Sequence, residues 1–181
     1  ETARQIEEAG GQAATSLCDV TDETSCSAVV AKTVETFGRL DVLCNIAGIC
    51  VFDHSEDFEP DTWDKVLAVN LSGPFYLSRA ALPHLFESKG NIVNMASSAG
   101  LQGMAYGAAY CASKGGLVLM TKSMAVEVDH RGVRVNCICP GGVSTPLVSA
   151  LAFPDDAEQF LMDRMSLNSV KPSFCQPEDI A

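Results

Sequence analysis

Tyr110 and Lys114 stand four residues apart in Tyr110-Cys111-Ala112-Ser113-Lys114, a stretch whose pattern predicts helix. Side chains at i and i+4 share a helical face, so the phenol and the ammonium can address one small volume. A free tyrosine, with a pKa of about 10, is a poor acid or base near neutrality. A neighbouring ammonium favours the phenolate and is expected to lower that value. The pair could then exchange a proton with the oxygen of an alcohol/ketone couple. Such pairs also arise by chance on surface helices, so the neighbours decide. Ser97, thirteen residues before Tyr110, closes the apolar run Asn91-Ile92-Val93-Asn94-Met95-Ala96. A hydroxyl at the mouth of a buried strand can hold a substrate oxygen beside the tyrosine. Ser98 is the alternative, because adjacent residues of a strand point to opposite faces and only one of the two can face the site.

These side chains need a scaffold, and the pattern along the chain supplies one. Residues 1–9 read as a helix and 13–18 as a strand. A helix opening at Asp22-Glu23 runs to Phe37 and stops at Gly38. Residues 40–46 form a near-continuous apolar run, as expected of a strand covered on both faces. Pro60 begins a helix that continues, bent near Gly73-Pro74, to about residue 87. A strand at 91–96, a long helix at 108–129, a strand at 133–139 and short helices over 145–168 follow. Strands alternating with helices predict a parallel α/β sheet with helices on both faces. Ligands of such sheets bind outside the carboxyl ends of the strands. Asp19, Asn45–Gly48, Ser97 and Pro140–Thr145 all lie immediately after strands.

Five landmarks recur in a fixed order: Asn45-Ile46-Ala47-Gly48, Asn70, Ser97, Tyr110-x-x-x-Lys114, and Pro140-Gly141-Gly142-Val143-Ser144-Thr145. In that order and spacing the chain resembles the short-chain dehydrogenase/reductase family, single-domain type. The resemblance implies a three-layer, doubly wound Rossmann-type sheet, of which residues 1–181 would be part of one NAD(P)-binding domain. It implies Tyr110 as acid/base, Lys114 lowering its pKa and holding the nicotinamide ribose, and Ser97 on the substrate oxygen. Asn70 would hold a water that links Lys114 to solvent. Asp19 and Val20 would meet the adenine, with Thr21 or Asp22 capping the helix and leaving Asp19 free. Asn45, Ala47 and Gly48 would lie against the adenosine ribose, and Pro140, Gly141, Val143 and Thr145 beside the nicotinamide. Ile46 stands where many members carry a second Asn. The family's opening strand and Thr-Gly-x-x-x-Gly-x-Gly turn are not in the sequence, which begins at Glu1, so it reads as the interior of a longer protein. The choice between NAD and NADP is normally set by an acidic or a basic residue at the end of the family's second strand, which is also not in the sequence, so it stays open, and the acidic chain leans it to NAD.

The substrate would be a small alcohol or ketone with an apolar body, lined by Val51, Phe52, Met104, Tyr106, Leu147, Leu151 and Phe153. Two other readings use the same scaffold: a non-catalytic dinucleotide-binding regulator, and a lyase or epimerase. A net charge of −11 and a pI near 4.5 argue against nucleic acid or an anionic membrane as partner. The resemblance implies a homotetramer, and small residues at Ala108, Ala109, Ala112, Gly115 and Gly116 would let helices approach. Eight cysteines without a C-x-x-C fit reduced thiols and a cytoplasmic setting. Cys111, beside Tyr110, is the one whose modification could block the site. His54, His84 and His130 have no ligand spacing, and no metal is expected.

Overall fold

The computed structural model describes residues 1–165 and 174–181. Helix α1 spans Thr2–Glu8 and α2 spans Glu23–Phe37. The Asp22 carboxylate accepts the amides of Thr24 and Ser25 and so caps α2, and Gly38, at φ +80°, ends it in the left-handed region that glycine enters freely. Strand β1 is Val42–Asn45, β2 is Asn91–Met95 and β3 is Arg134–Ile138. They lie side by side in the order β1-β2-β3, all parallel, with Asn45 opposite Asn94 and Met95 opposite Ile138. Between β1 and β2 run α3 (Pro60–Leu67), a π-helical turn (Ala68–Ser72) and α4 (Gly73–Ser88). The expected bend is this wide turn, and Asn70 sits in it. Helix α5 (Ala108–Val128) connects β2 to β3.

The alternation of side chains fixes which sheet face is covered. Leu43, Ile92 and Val135 share one face and pack on Ala81 and Leu85 of α4 and on Met124 and Val128 of α5. The other face carries Val42 (51% exposed), Cys44, Asn136 and, just past the strand, Ile46 (64% exposed). Helices on both faces were expected. Among the described residues they cover one, with α2 lying against α4. The expected strand at 13–18 is also not formed. A strand exists through its ladder, and no described strand lies beside this segment, so Leu17 is fully exposed.

Beyond β3, the short strands β4 (Gly142–Val143) and β5 (Phe174–Cys175) pair in parallel. Helices α6 (Pro146–Ser149) and α7 (Gln159–Met165) are the short helices expected over 145–168; residues 166–168 of that expectation lie outside the described residues. No helix among the described residues is long and apolar enough to cross a membrane.

Candidate functional site

The carboxyl ends of β1, β2 and β3 meet one cavity of about 500 Å³. Ser97, Tyr110 and Gly141 all line it. Ser97 follows β2 and caps a 3-10 turn, Ser98–Gly100, its hydroxyl accepting the Ala99 amide at 3.1 Å. That turn is seated on the backbone of α5: a Cβ on Gly100 would stand 2.6 Å from the Lys114 carbonyl oxygen. Glycine is therefore what lets β2 end against the turn of α5 that carries Lys114. Ser98 also lines the cavity, because its turn leaves the strict alternation of the strand. If Ser97 is the one that acts, Ser97→Ala should lower kcat by about 10²-fold, the low end of what proton-handling groups supply, and Ser98→Ala by less than about threefold. Equal losses in the two variants, measured by initial rates, would place the wrong serine in this role.

Tyr110 and Lys114 share a face of α5 as their spacing requires, the ammonium 5.9 Å from the centre of the phenol ring. The electrostatics differ from expectation. Burial raises the Tyr110 pKa, and the neighbouring Ser97 hydroxyl offsets only part of this. Burial likewise depresses the pKa of Lys114, to about 8. Its Nζ donates to the Met95 carbonyl at 2.7 Å, at the end of β2. Backbone acceptors leave no trace in a residue pattern, which is why this contact was not foreseen.

Asn70 is fully buried. Its Oδ1 accepts the Ile49 amide at 2.9 Å, while its Nδ2 donates to the Ile49 carbonyl at 2.8 Å and to the Ser113 hydroxyl at 3.0 Å. The side chain thus clamps the loop after β1 to α5. Gly48 lies against this clamp: a Cβ there would be 3.3 Å from Asn70 Oδ1 and 3.5 Å from Lys114 Nζ. Asn45 is buried, and its Nδ2 donates to Asn94 Oδ1 at 2.8 Å and to Ser78 Oγ at 3.2 Å. Asn45 Oδ1 has no partner among the described residues. Ala47 is exposed on the same loop.

The remaining sequence-derived residues are more scattered. Asp22 caps α2, one of the two caps expected, so the Asp19 side chain is not spent on that helix. Its Oδ1 accepts both the amide (2.9 Å) and the hydroxyl (2.7 Å) of Thr21, an Asx turn, which lowers its pKa. Val20 rests against the start of α4, its carbonyl 2.8 Å from where a Gly73 Cβ would be. Neither residue lines the cavity. Pro140 accepts the Ser98 amide at 2.8 Å, Val143 pairs in β4, and Thr145 caps α6.

Of the expected apolar lining, Phe52, Met104, Leu147, Leu151 and Phe153 are in place, and Val51 and Tyr106 are not. Tyr106 belongs to a clasp. It holds φ +62°, rare for a residue with a Cβ, and its carbonyl accepts the Asp53 amide at 2.9 Å. Its hydroxyl accepts the Glu158 amide at 2.9 Å. Phe52 stacks on Phe153 with ring centres 4.4 Å apart, and His54 Nε2 meets Asp156 Oδ1 at 3.0 Å. Three contacts so fasten 153–158 to 52–54 and Tyr106 along one side of the cavity.

The His54–Asp156 contact gives the clasp a pH dependence. Asp156, first by hydrogen bond and then by charge, raises the His54 pKa above 6.5, with Glu56 and Asp57 adding to it, and the Asp156 pKa is lowered. The Asp53 carboxylate, which accepts the His54 amide, is the further acid beside it. A raised histidine contributes fully below 6.5 and loses its contribution as pH climbs through the raised value. A lowered aspartate contributes above 3.8 and loses it as pH falls. The contact is therefore strongest between those two ordinary values. Asp156→Asn should shift the His54 titration, followed by NMR, downward. An unmoved midpoint would mean that the pair does not form.

Cys50 also lines the cavity, and burial pushes its thiol up to about 12, so it stays protonated. Among the described residues no group of three His, Cys, Asp or Glu side chains could hold a metal ion.

Comparison with known sequences bears on this arrangement. A family model described as "short chain dehydrogenase" matches residues 1–154. A short-chain dehydrogenase/reductase of Penicillium canescens is 42% identical over 86% of the chain and 59% of its own length. A 2-(S)-hydroxypropyl-CoM dehydrogenase of Xanthobacter autotrophicus is 41% identical over 90% of the chain and 64% of its own length. A D-beta-hydroxybutyrate dehydrogenase of Rhizobium meliloti is 37% identical over 90% of the chain and 66% of its own length. The chain thus spans less than two thirds of each of these relatives.

Proposed function

Because the chain belongs to the short-chain dehydrogenase family, we propose that the intact protein is an NAD(P)-dependent oxidoreductase of secondary alcohols and ketones. The observation that carries this reading is the meeting of the Ser97 and Tyr110 hydroxyls in one cavity at the carboxyl edge of the sheet, with Lys114 buried behind them. Nicotinamide, when bound, supplies or takes up the hydride. Tyr110 gives its proton to the carbonyl oxygen in reduction and accepts it back in oxidation. Ser97 donates to the same oxygen and holds the carbonyl against the phenol. Lys114 keeps a proton available near the phenol, on a group whose pKa of about 8 lies close to working pH. The Asn70 side chain is committed to Ile49 and Ser113, and Asn70 would, as the family resemblance implies, hold a water that links Lys114 to solvent.

The residues present suit a dinucleotide. Gly48 leaves room beside Asn70 Oδ1, which a Cβ there would approach to 3.3 Å. Asn45 Oδ1 is a buried acceptor in need of a donor. Gly141 has open space beside it, and Asp19 is exposed. Asp19, Val20, Asn45, Ala47 and Gly48 would hold the adenosine half, and Pro140, Gly141, Val143 and Thr145 the nicotinamide half. NAD is favoured over NADP on the acidity of the chain alone. The relatives' names divide between a hydroxy acid and a thioether alcohol, so they do not fix the substrate.

The test follows nicotinamide absorbance in the intact protein against ketones and alcohols with either cofactor. Turnover supports the reading. Tight binding of cofactor without turnover of any of them would favour the non-catalytic regulator, and cofactor retained through an isomerisation would favour the epimerase.

A homotetramer and a cytoplasmic setting are proposed with it. The exposed side of α5 carries the apolar Ala108, Ala112, Leu119 (67% exposed) and Val126 (83% exposed) together with Lys122, Ser123 and Glu127, and a second copy would cover its apolar part. Ala109 turns inward, Gly116 packs on Leu71, and Gly115 sits by the Gly100 carbonyl, so these three do not serve the approach of another chain. Light scattering of the intact protein should give four chains, and Leu119→Glu should reduce the assembly. A monomer at micromolar concentration would rule the tetramer out.

A further inference from the structure

The wall of the cavity carries one formal charge among the described residues, and it is positive. No Asp, Glu or Lys lines it, while Arg164 does. In a chain with 23 acidic residues and 12 Lys and Arg, chance would more often have put an acid there. Arg164 enters no ion pair among the described residues. Its guanidinium is held in place by the Phe160 ring, 4.2 Å below it.

The clasp sets this position. The Glu158 amide donates to the Tyr106 hydroxyl, and the Glu158 carbonyl accepts the amides of Leu161 and Met162, so Tyr106 fixes the first turn of α7. Met162 then faces the cavity beside Arg164. The rest of the wall sorts into two kinds of surface. Ser97 and Tyr110 can hold a carbonyl oxygen, and Phe52, Phe153 and Met104 can take an aliphatic body. A guanidinium adds a third function, bidentate recognition of a planar oxyanion. The surrounding charge of −11 repels anions in general, so a substrate that carries one needs a local cation to be held.

We propose that the substrate is a ketone or secondary alcohol bearing an oxyanion, a carboxylate in the first instance, remote from the reacting carbon, and that Arg164 recognises that group. The inference rests on the dehydrogenase reading for the reacting end and on the wall of the cavity for the other.

The test uses the intact protein with cofactor and a series of oxo acids from 3-oxobutanoate to 7-oxooctanoate, each paired with its primary amide. The best acid should exceed its amide in kcat/KM by about 10- to 100-fold, the range of a charge-assisted hydrogen bond, mostly through KM. Arg164→Gln should bring that ratio to within about threefold of one, and Arg164→Lys should keep part of it, since it retains the charge and loses the fork. Calorimetric titration of the same pairs reads the preference without turnover. An acid preference that survives in Arg164→Gln, or amides bound as well as acids by the parent protein, would overturn the proposal. A protein that reduces none of these compounds, yet binds the acids more tightly through Arg164, would count against the dehydrogenase reading and leave only the recognition of an oxyanion by Arg164 standing.

Discussion

Tyr110→Phe is expected to lower kcat by about 10² to 10⁴, the range that a positioned proton donor supplies, while binding nicotinamide cofactor as the parent does. The change removes one oxygen. The ring keeps its place on α5, 5.9 Å from the Lys114 ammonium, and burial, which already disfavours the phenolate, loses a polar group to disfavour. What vanishes is, among the described residues, the one group on the cavity wall combining an O–H with a cationic neighbour. Ser97 stays and its O–H still donates to the substrate oxygen, but an aliphatic hydroxyl is a far weaker acid than a phenol, so it is a poor substitute. Initial rates and cofactor titration by fluorescence, run together, separate the two effects. A variant within a few-fold of the parent in kcat would take Tyr110 out of the mechanism.

Gly100→Ala should be nearly as damaging without touching any reacting group. The added methyl would meet the Lys114 carbonyl carbon at 2.7 Å and the Gly115 nitrogen at 3.0 Å, besides the carbonyl oxygen. These are backbone atoms of a long helix and cannot swing aside as a side-chain end would. The turn must lift from α5, taking Ser97 with it. Overpacking of this kind costs about 1–3 kcal/mol of stability. A shift of Ser97 by even an ångström away from Tyr110 should cost about 10²-fold in rate. Gly103→Ala, with nothing within 4 Å of its Cβ position, is the control for melting temperature, while its rate also reads the cavity wall that Gly103 lines. Equal melting temperatures and equal rates for the two variants would show that the turn has room to spare.

Much of this arrangement is legible along the chain, for identifiable reasons. The apolar runs and the residues that stop them place β1, β2, β3 and α5 within a residue or two, because burial leaves its imprint on composition. The i, i+4 spacing alone puts Tyr110 and Lys114 together. What resists reading depends on partners distant in sequence. Residues 13–18 have strand composition but no neighbouring ladder. Tyr106 looks like cavity lining, yet its hydroxyl is committed to an amide 52 residues later. Ala109, Gly115 and Gly116 look like a docking stripe, but small residues serve equally to admit Leu71 and the turn at Gly100. Arg164 gives no signal at all, since only the clasp brings α7 to the cavity. The pKa expectation for Tyr110 fails for a related reason: the helix dictates proximity of the charge, whereas desolvation depends on everything packed around it.

The amides of Asn45 and Asn94 join β1 to β2 as direct register partners, and Asn94 Nδ2 continues to the Thr121 hydroxyl, which itself donates to the Leu117 carbonyl. This chain of donors and acceptors runs through the covered face of the sheet, where apolar residues of equal size would pack without such demands. Apolar contacts between strands tolerate sliding by two residues, which restores the same face. The amides do not, because any other alignment leaves buried N–H and C=O groups unanswered. The pair therefore works as a vernier, setting how far each strand advances before it ends. Ser97 lies three residues past Asn94, and Gly48 three past Asn45. A sheet misaligned by two would keep its core and lose the common edge on which both stand.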